Sequence, residues 1–128
     1  MNNMSIFERI RNGIPDGTEL HTPALKKPFT VFTDNCKVTF HVGKNKTPIP
    51  VSEPYWESAV NFLRGRGWVE IGTRHQMDVK KNTFEEFLDG CGRKGHSSWA
   101  SYVAPVLEKI GAARIDRETP PSKIKLIE

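Results

Sequence analysis

The residues best suited to chemistry lie between positions 93 and 101: Arg93, Lys94, His96, Ser97, Ser98 and Ser101. They fall at the start of a helix expected from residue 98. A helix N-terminus exposes free backbone N–H groups, and these bind phosphate oxygens together with serine hydroxyls. Arg93 and Lys94 add charge, each able to displace a counterion from a polyanion. The competing reading is that Ser97 and Ser98 only cap the helix and the loop before it is solvated. A second basic set, Arg114, Arg117 and Lys123, falls on two β-prone runs near a tip containing Pro120 and Pro121. The prolines stiffen that tip and lower the entropy lost on docking. Alternating charges also arise on the solvent face of any two-stranded ribbon. A third set, Thr30, Lys37, Thr39 and His41 with Lys44 and Lys46 nearby, is either a further contact surface or an ordinary polar sheet face.

Catalytic arrangements are missing. The chain holds no glycine-rich phosphate loop, no Gly-x-Ser-x-Gly and no His-Glu-x-x-His. Cys91 and His96 are a lone pair without a second pair at suitable spacing, whereas zinc wants four ligands. His75 and Cys36 do not complete the set. Asp78, Glu85, Glu86 and Asp89 could hold a divalent cation in a nuclease. Glu86, however, is explained as the partner of Thr83 in a capping box, and acids early in a helix complement its dipole. The expected class is a binding protein, non-enzymatic, with no metal and no cofactor.

The elements that must position these residues follow from period and punctuation. Residues 5–12 read as a short helix capped by Ser5 and stopped by Gly13. Residues 18–28, with Pro23 and Pro28 and no clear period, read as an extended arm. Residues 29–42 alternate as a β-hairpin around Thr33-Asp34-Asn35-Cys36. Residues 43–50 read as a polar loop, because Pro48 and Pro50 argue against regular structure. Residues 53–64 form a helix with Trp56, Ala59, Val60 and Leu63 on one stripe, ended by Gly65. A short strand lies between Gly67 and Gly72, and the capping box opens a helix holding Phe84, Phe87 and Leu88. The next helix carries Trp99, Val103, Val106, Leu107 and Ile110 and stops at Gly111. Pro105 lies inside it and costs roughly 3 kcal/mol in a helix interior. Either the helix is kinked there, or it begins near Tyr102. Trp56, Trp68 and Trp99 are all expected in the core.

The order from residue 52 is helix, strand, helix, helix, hairpin. It resembles the winged helix-turn-helix superfamily, whose elements run helix, strand, helix, helix, strand, strand. The stretch Val106-Leu107-Glu108-Lys109-Ile110-Gly111-Ala112-Ala113-Arg114-Ile115 looks like the end of a reader helix passing into a wing. The resemblance implies an α+β winged-helix core over residues 52–128, with residues 29–51 as an added N-terminal hairpin and loop and residues 1–28 as a helix and arm. It further implies duplex DNA as partner, the reader helix entering the major groove N-terminus first and the wing lying along the backbone or minor groove. The expected kind is a sequence-tolerant or sequence-specific DNA-binding module of bacterial regulatory, phage or restriction type. The alternative is a winged-helix-like interaction module, possible as a homodimer through sheet extension of the hairpin edged by Val31 and Phe32.

Bulk properties fit a binding protein of one domain. The 128 residues carry a net charge of +4. That charge is uneven: +3 over residues 1–51, −2 over 52–92 and +3 over 93–128, which suits a polyanion partner. The chain holds no run of 18 apolar residues and no N-terminal apolar h-region, so a cytoplasmic protein without membrane association is expected. Two cysteines make no disulfide framework and are expected as buried free thiols.

Overall fold

A computed structural model describes residues 5–23, 26–71, 83–84, 99–118 and 122–127. The chain is mixed α and β. Helix α1 (Ile6–Gly13) starts at Ser5, whose Oγ accepts from the Glu8 N–H at 3.1 Å. Its buried residues, Ile6, Phe7 and Ile10, lie on one side, as a 3.6-residue period requires. The Ile6 N–H, one of the orphan donors of a helix start, donates to Glu57 Oε1 at 2.9 Å and ties α1 to the second helix.

Four antiparallel strands follow in meander order: β1 (Thr18–His21), β2 (Pro28–Thr33), β3 (Lys37–Val42) and β4 (Thr47–Ser52). Phe29, Val31, Val38, Phe40, Ile49 and Val51 alternate onto one buried face. The hairpin 29–42 is as expected. Its turn is set by Asp34, whose Oδ1 accepts from the N–H groups of Cys36 and Lys37 at 2.8 and 2.9 Å. Those bonds, with the Lys37 ammonium at 3.1 Å, hold the Asp34 carboxyl down at about 2. A lowered carboxyl pKa stabilises the fold above the ordinary value and loses that contribution as pH falls toward the folded value. The Asp34 carboxyl is therefore expected to titrate near pH 2 by NMR; titration in the ordinary carboxylate range would refute the turn geometry.

Two segments differ from expectation. Residues 18–21 are not an arm but strand β1, with Thr18 opposite Val31 and His21 opposite Pro28. Residues 47–52 are not loop but strand β4, with Phe40 opposite Ile49 and Val38 opposite Val51. Pro48 and Pro50 are tolerated because they are two residues apart on an edge strand. Both imide nitrogens then point away from β3, where no ladder bond is needed. The hairpin β2–β3 is consequently central. Its edges are occupied by β1 and β4, so sheet extension of that hairpin across a dimer is closed.

Helix α2 (Glu53–Leu63) carries Pro54 in its first turn and buries Trp56, Ala59, Val60 and Leu63 as expected. Gly65, at φ 77°, takes the left-handed position after it. Strand β5 (Val69–Glu70) follows. Of the helix expected after the capping box only Thr83 and Phe84 are described; Phe84 is buried and stacks on Phe62 with centroids 6.2 Å apart.

Helix α3 (Trp99–Lys109) runs through Pro105 rather than starting near Tyr102. It closes in a Schellman motif: Gly111, at φ 80°, donates to the Glu108 carbonyl and Ala112 to the Leu107 carbonyl, each at 3.0 Å. Strands β6 (Ala113–Asp116) and β7 (Lys123–Leu126) form the closing hairpin, and β5 pairs with β7 to give a second sheet ordered β5-β7-β6.

Among the described residues, one core joins both sheets and the three helices. Phe40 lies at its centre, 5.5 Å from Phe29, 6.1 Å from Trp56 and 5.7 Å from Tyr102. Tyr102 also meets Phe29 at 5.1 Å, so the four-stranded sheet covers one side of α3. Arg9 Nη2 donates to the Ile110 carbonyl at 3.0 Å, linking α1 to the end of α3.

Candidate nucleic-acid interface

Of the nine expected contact residues, Arg93, Lys94, His96, Ser97 and Ser98 lie outside the described residues. Ser101 is half-buried in the first turn of α3. Beyond it, residues 103–107 are all buried. Five successive positions sweep about 400° around a helix axis at 3.6 residues per turn, so this stretch offers no open side to a groove. Pro105 belongs to it, and its ring walls a cleft of about 630 Å³ shared with Leu20, Thr22 and Arg117.

Arg117 is engaged within the protein. Its Nη1 and Nη2 donate to the two carboxylate oxygens of Glu108, both at 2.7 Å. This bidentate pairing ties the ribbon to α3 and raises the Arg117 pKa above its usual value. Lys123 stands opposite Asp116 on β6 and opposite Glu70 on β5, so two acids flank it. Arg114 differs. It is exposed on β6, and its partner directly across the ladder is Lys125, also exposed. Like charges directly opposite on one sheet face repel.

Beside that pair stands Trp68. Expected in the core, it is 48% exposed, because Val69 and Ile71 turn inward and the strand period of two sends its side chain out. Lys125 Nζ lies over the indole, 5.9 Å from the ring centroid, within reach of the ring quadrupole. Trp68, Arg114, Lys125, Leu126 and Ile127 line a concavity of about 240 Å³ on the outer face of the second sheet. Ile127 is 49% exposed. Sequence reasoning missed Trp68 and Lys125. The signal was present: in Lys123-Ile124-Lys125-Leu126 the buried residues alternate with lysines, and residue 68 shares the outward parity of residue 70.

The third set forms the outer face of the four-stranded sheet: Thr30, Lys37, Thr39 and His41 are half-exposed, and His41 meets the Phe32 ring at 4.8 Å. Cys36 is exposed rather than buried, because it sits in the Asp34 turn; Cys91 lies outside the described residues. Among the described residues no three His, Cys, Asp or Glu side chains gather as a metal site, and no helix is long and apolar enough to cross a membrane. Comparison with family models, with curated proteins and with solved structures finds no match.

Proposed function

We propose that this chain is a non-enzymatic nucleic-acid-binding protein of winged-helix type whose contact surface is the outer face of the sheet β5-β7-β6. The observation that carries the reading is the cross-strand pair Arg114 and Lys125. Two cations facing each other on one ladder destabilise a sheet by a fraction of a kcal/mol, and a phosphate between them reverses the sign. The order α2, β5, α3, β6, β7 supports the winged-helix reading. The burial of residues 103–107 moves the contact away from the middle of α3 and onto the ribbon. Contact from the helix is confined to its N-terminal end, which Arg93, Lys94, His96, Ser97 and Ser98 precede in sequence.

Binding is expected to weaken steeply with salt, since each neutralised phosphate releases condensed counterions. Fluorescence anisotropy with a labelled oligonucleotide, titrated from about 50 to about 200 mM salt, measures the slope. Replacing Arg114 and Lys125 together by glutamine is expected to flatten that slope by about two and to weaken all base sequences alike. Absence of binding even at the lowest salt would overturn the reading.

A further inference from the structure

We infer that Trp68 is a stacking platform for an unpaired base, so that the ligand class is single-stranded nucleic acid rather than intact duplex. The inference rests on reading this face as a nucleic-acid interface. Of the three large hydrophobic side chains described as exposed, Phe32, Trp68 and Ile127, two adjoin the Arg114–Lys125 pair. An indole left half in water forfeits much of the gain its burial would bring. This one stands at the bend immediately before β5, its neighbours Val69 and Ile71 buried in the core and the Ile71 N–H bonded to the Ser122 carbonyl at 3.0 Å. Its position is therefore fixed by the fold.

An aromatic ring beside two cations matches the chemistry of one nucleotide unit. The base stacks on the indole in place of the Lys125 ammonium now over the ring, and that ammonium turns to the phosphate beside the Arg114 guanidinium. A single strand offers both groups at once, and every base has a π-face, so the recognition is tolerant of sequence. A duplex keeps its bases stacked inside and shows phosphates outside. The charge pair can meet those phosphates, but the indole finds no free base face without unstacking the helix. The middle of helix α3, buried over residues 103–107 and covered by the four-stranded sheet at Tyr102, offers no groove contacts of the kind a duplex reader makes.

The test uses the full chain and measures anisotropy with labelled oligo-dT, oligo-U and a duplex of equal length at low salt. Single strands are expected to bind more tightly than the duplex. Trp68→Ala is expected to weaken single-strand binding roughly 5- to 150-fold, the range spanned by base–aromatic stacking, and to leave duplex binding nearly unchanged. Trp68→Phe is expected to keep most of the affinity. The tighter of the two single strands identifies DNA or RNA as the source. Equal binding of single strand and duplex, both indifferent to Trp68→Ala, overturns the stacking inference while salt-dependent binding upholds the broader reading. Binding to neither overturns both. Thermal melting of Trp68→Ala, whose side chain is half in water, checks that any loss does not come from unfolding.

Discussion

Replacing Trp56 with alanine is expected to bring the protein to the edge of unfolding. Trp56 is fully buried and faces Phe40 edge-on at 6.1 Å. Truncating a core tryptophan costs about 3–5 kcal/mol, against a total stability of about 5–15 kcal/mol for a domain. Its Nε1 is buried without a hydrogen-bond partner among the described residues, and such a donor costs about 1–3 kcal/mol. Trp56→Phe removes that unmade bond and keeps most of the ring, so it is expected to cost far less than Trp56→Ala. Urea unfolding of the two variants measures the difference. Equal losses would show that the phenyl ring does not refill the space left by the indole. The comparison with Trp68→Ala is instructive: the same substitution twelve positions later is expected to leave the unfolding midpoint near that of the parent.

A fragment spanning residues 52–128 is expected not to fold. The resemblance implied a single domain over residues 29–128, with a winged-helix core at 52–128 and the hairpin as an addition in front of it. The structure places Ile6, Phe7, Ile10, Ile14, Phe29, Val31, Val38 and Phe40 in the same core as Trp56, Val103 and Leu107. Cutting at residue 52 strips Tyr102 of Phe29 and Phe40, removes β4 from the start of α2, and takes the Arg9 bond from the end of α3. Each buried large side chain so exposed forfeits about 1.5–3 kcal/mol, and a handful exceeds the stability of the whole. Circular dichroism and proton NMR of the fragment test this; a cooperative thermal transition and dispersed amide signals would sink it.

Helix α2 was legible because its apolar residues keep a strict 3, 1, 3 spacing and glycine punctuates its end. The hairpin β2–β3 was legible because Phe29, Val31, Val38 and Phe40 alternate. The end of α3 was legible because Gly111, which has no Cβ, takes the left-handed position there without strain. Strand β1 was not, since Thr18-Glu19-Leu20-His21 offers one apolar residue and its pairing comes from β2. Strand β4 was hidden by two prolines that local rules count against a strand, and only the edge position reconciles them. Trp68 lies off the apolar stripe that its spacing was expected to place it on: its neighbours Val69 and Ile71 claim the inward face. In the candidate site, Arg114 was legible as a charged strand residue. Its opposition to Lys125 depends on the hairpin register, which no local pattern states.

The paired bonds between Arg117 and Glu108 bear on how fast a partner can arrive. A ribbon joined to its domain only at its ends would sample many orientations and lose them on docking, adding about 0.5–1.5 kcal/mol for each immobilised side chain. Fastened to α3 on both carboxylate oxygens, the ribbon carries its charged face in a fixed orientation before any encounter. Under the proposed reading, capture of a nucleic acid then proceeds without a slow rearrangement step, at a rate set by diffusion and long-range attraction. The lifetime of the complex is left to the short-range contacts at the ring.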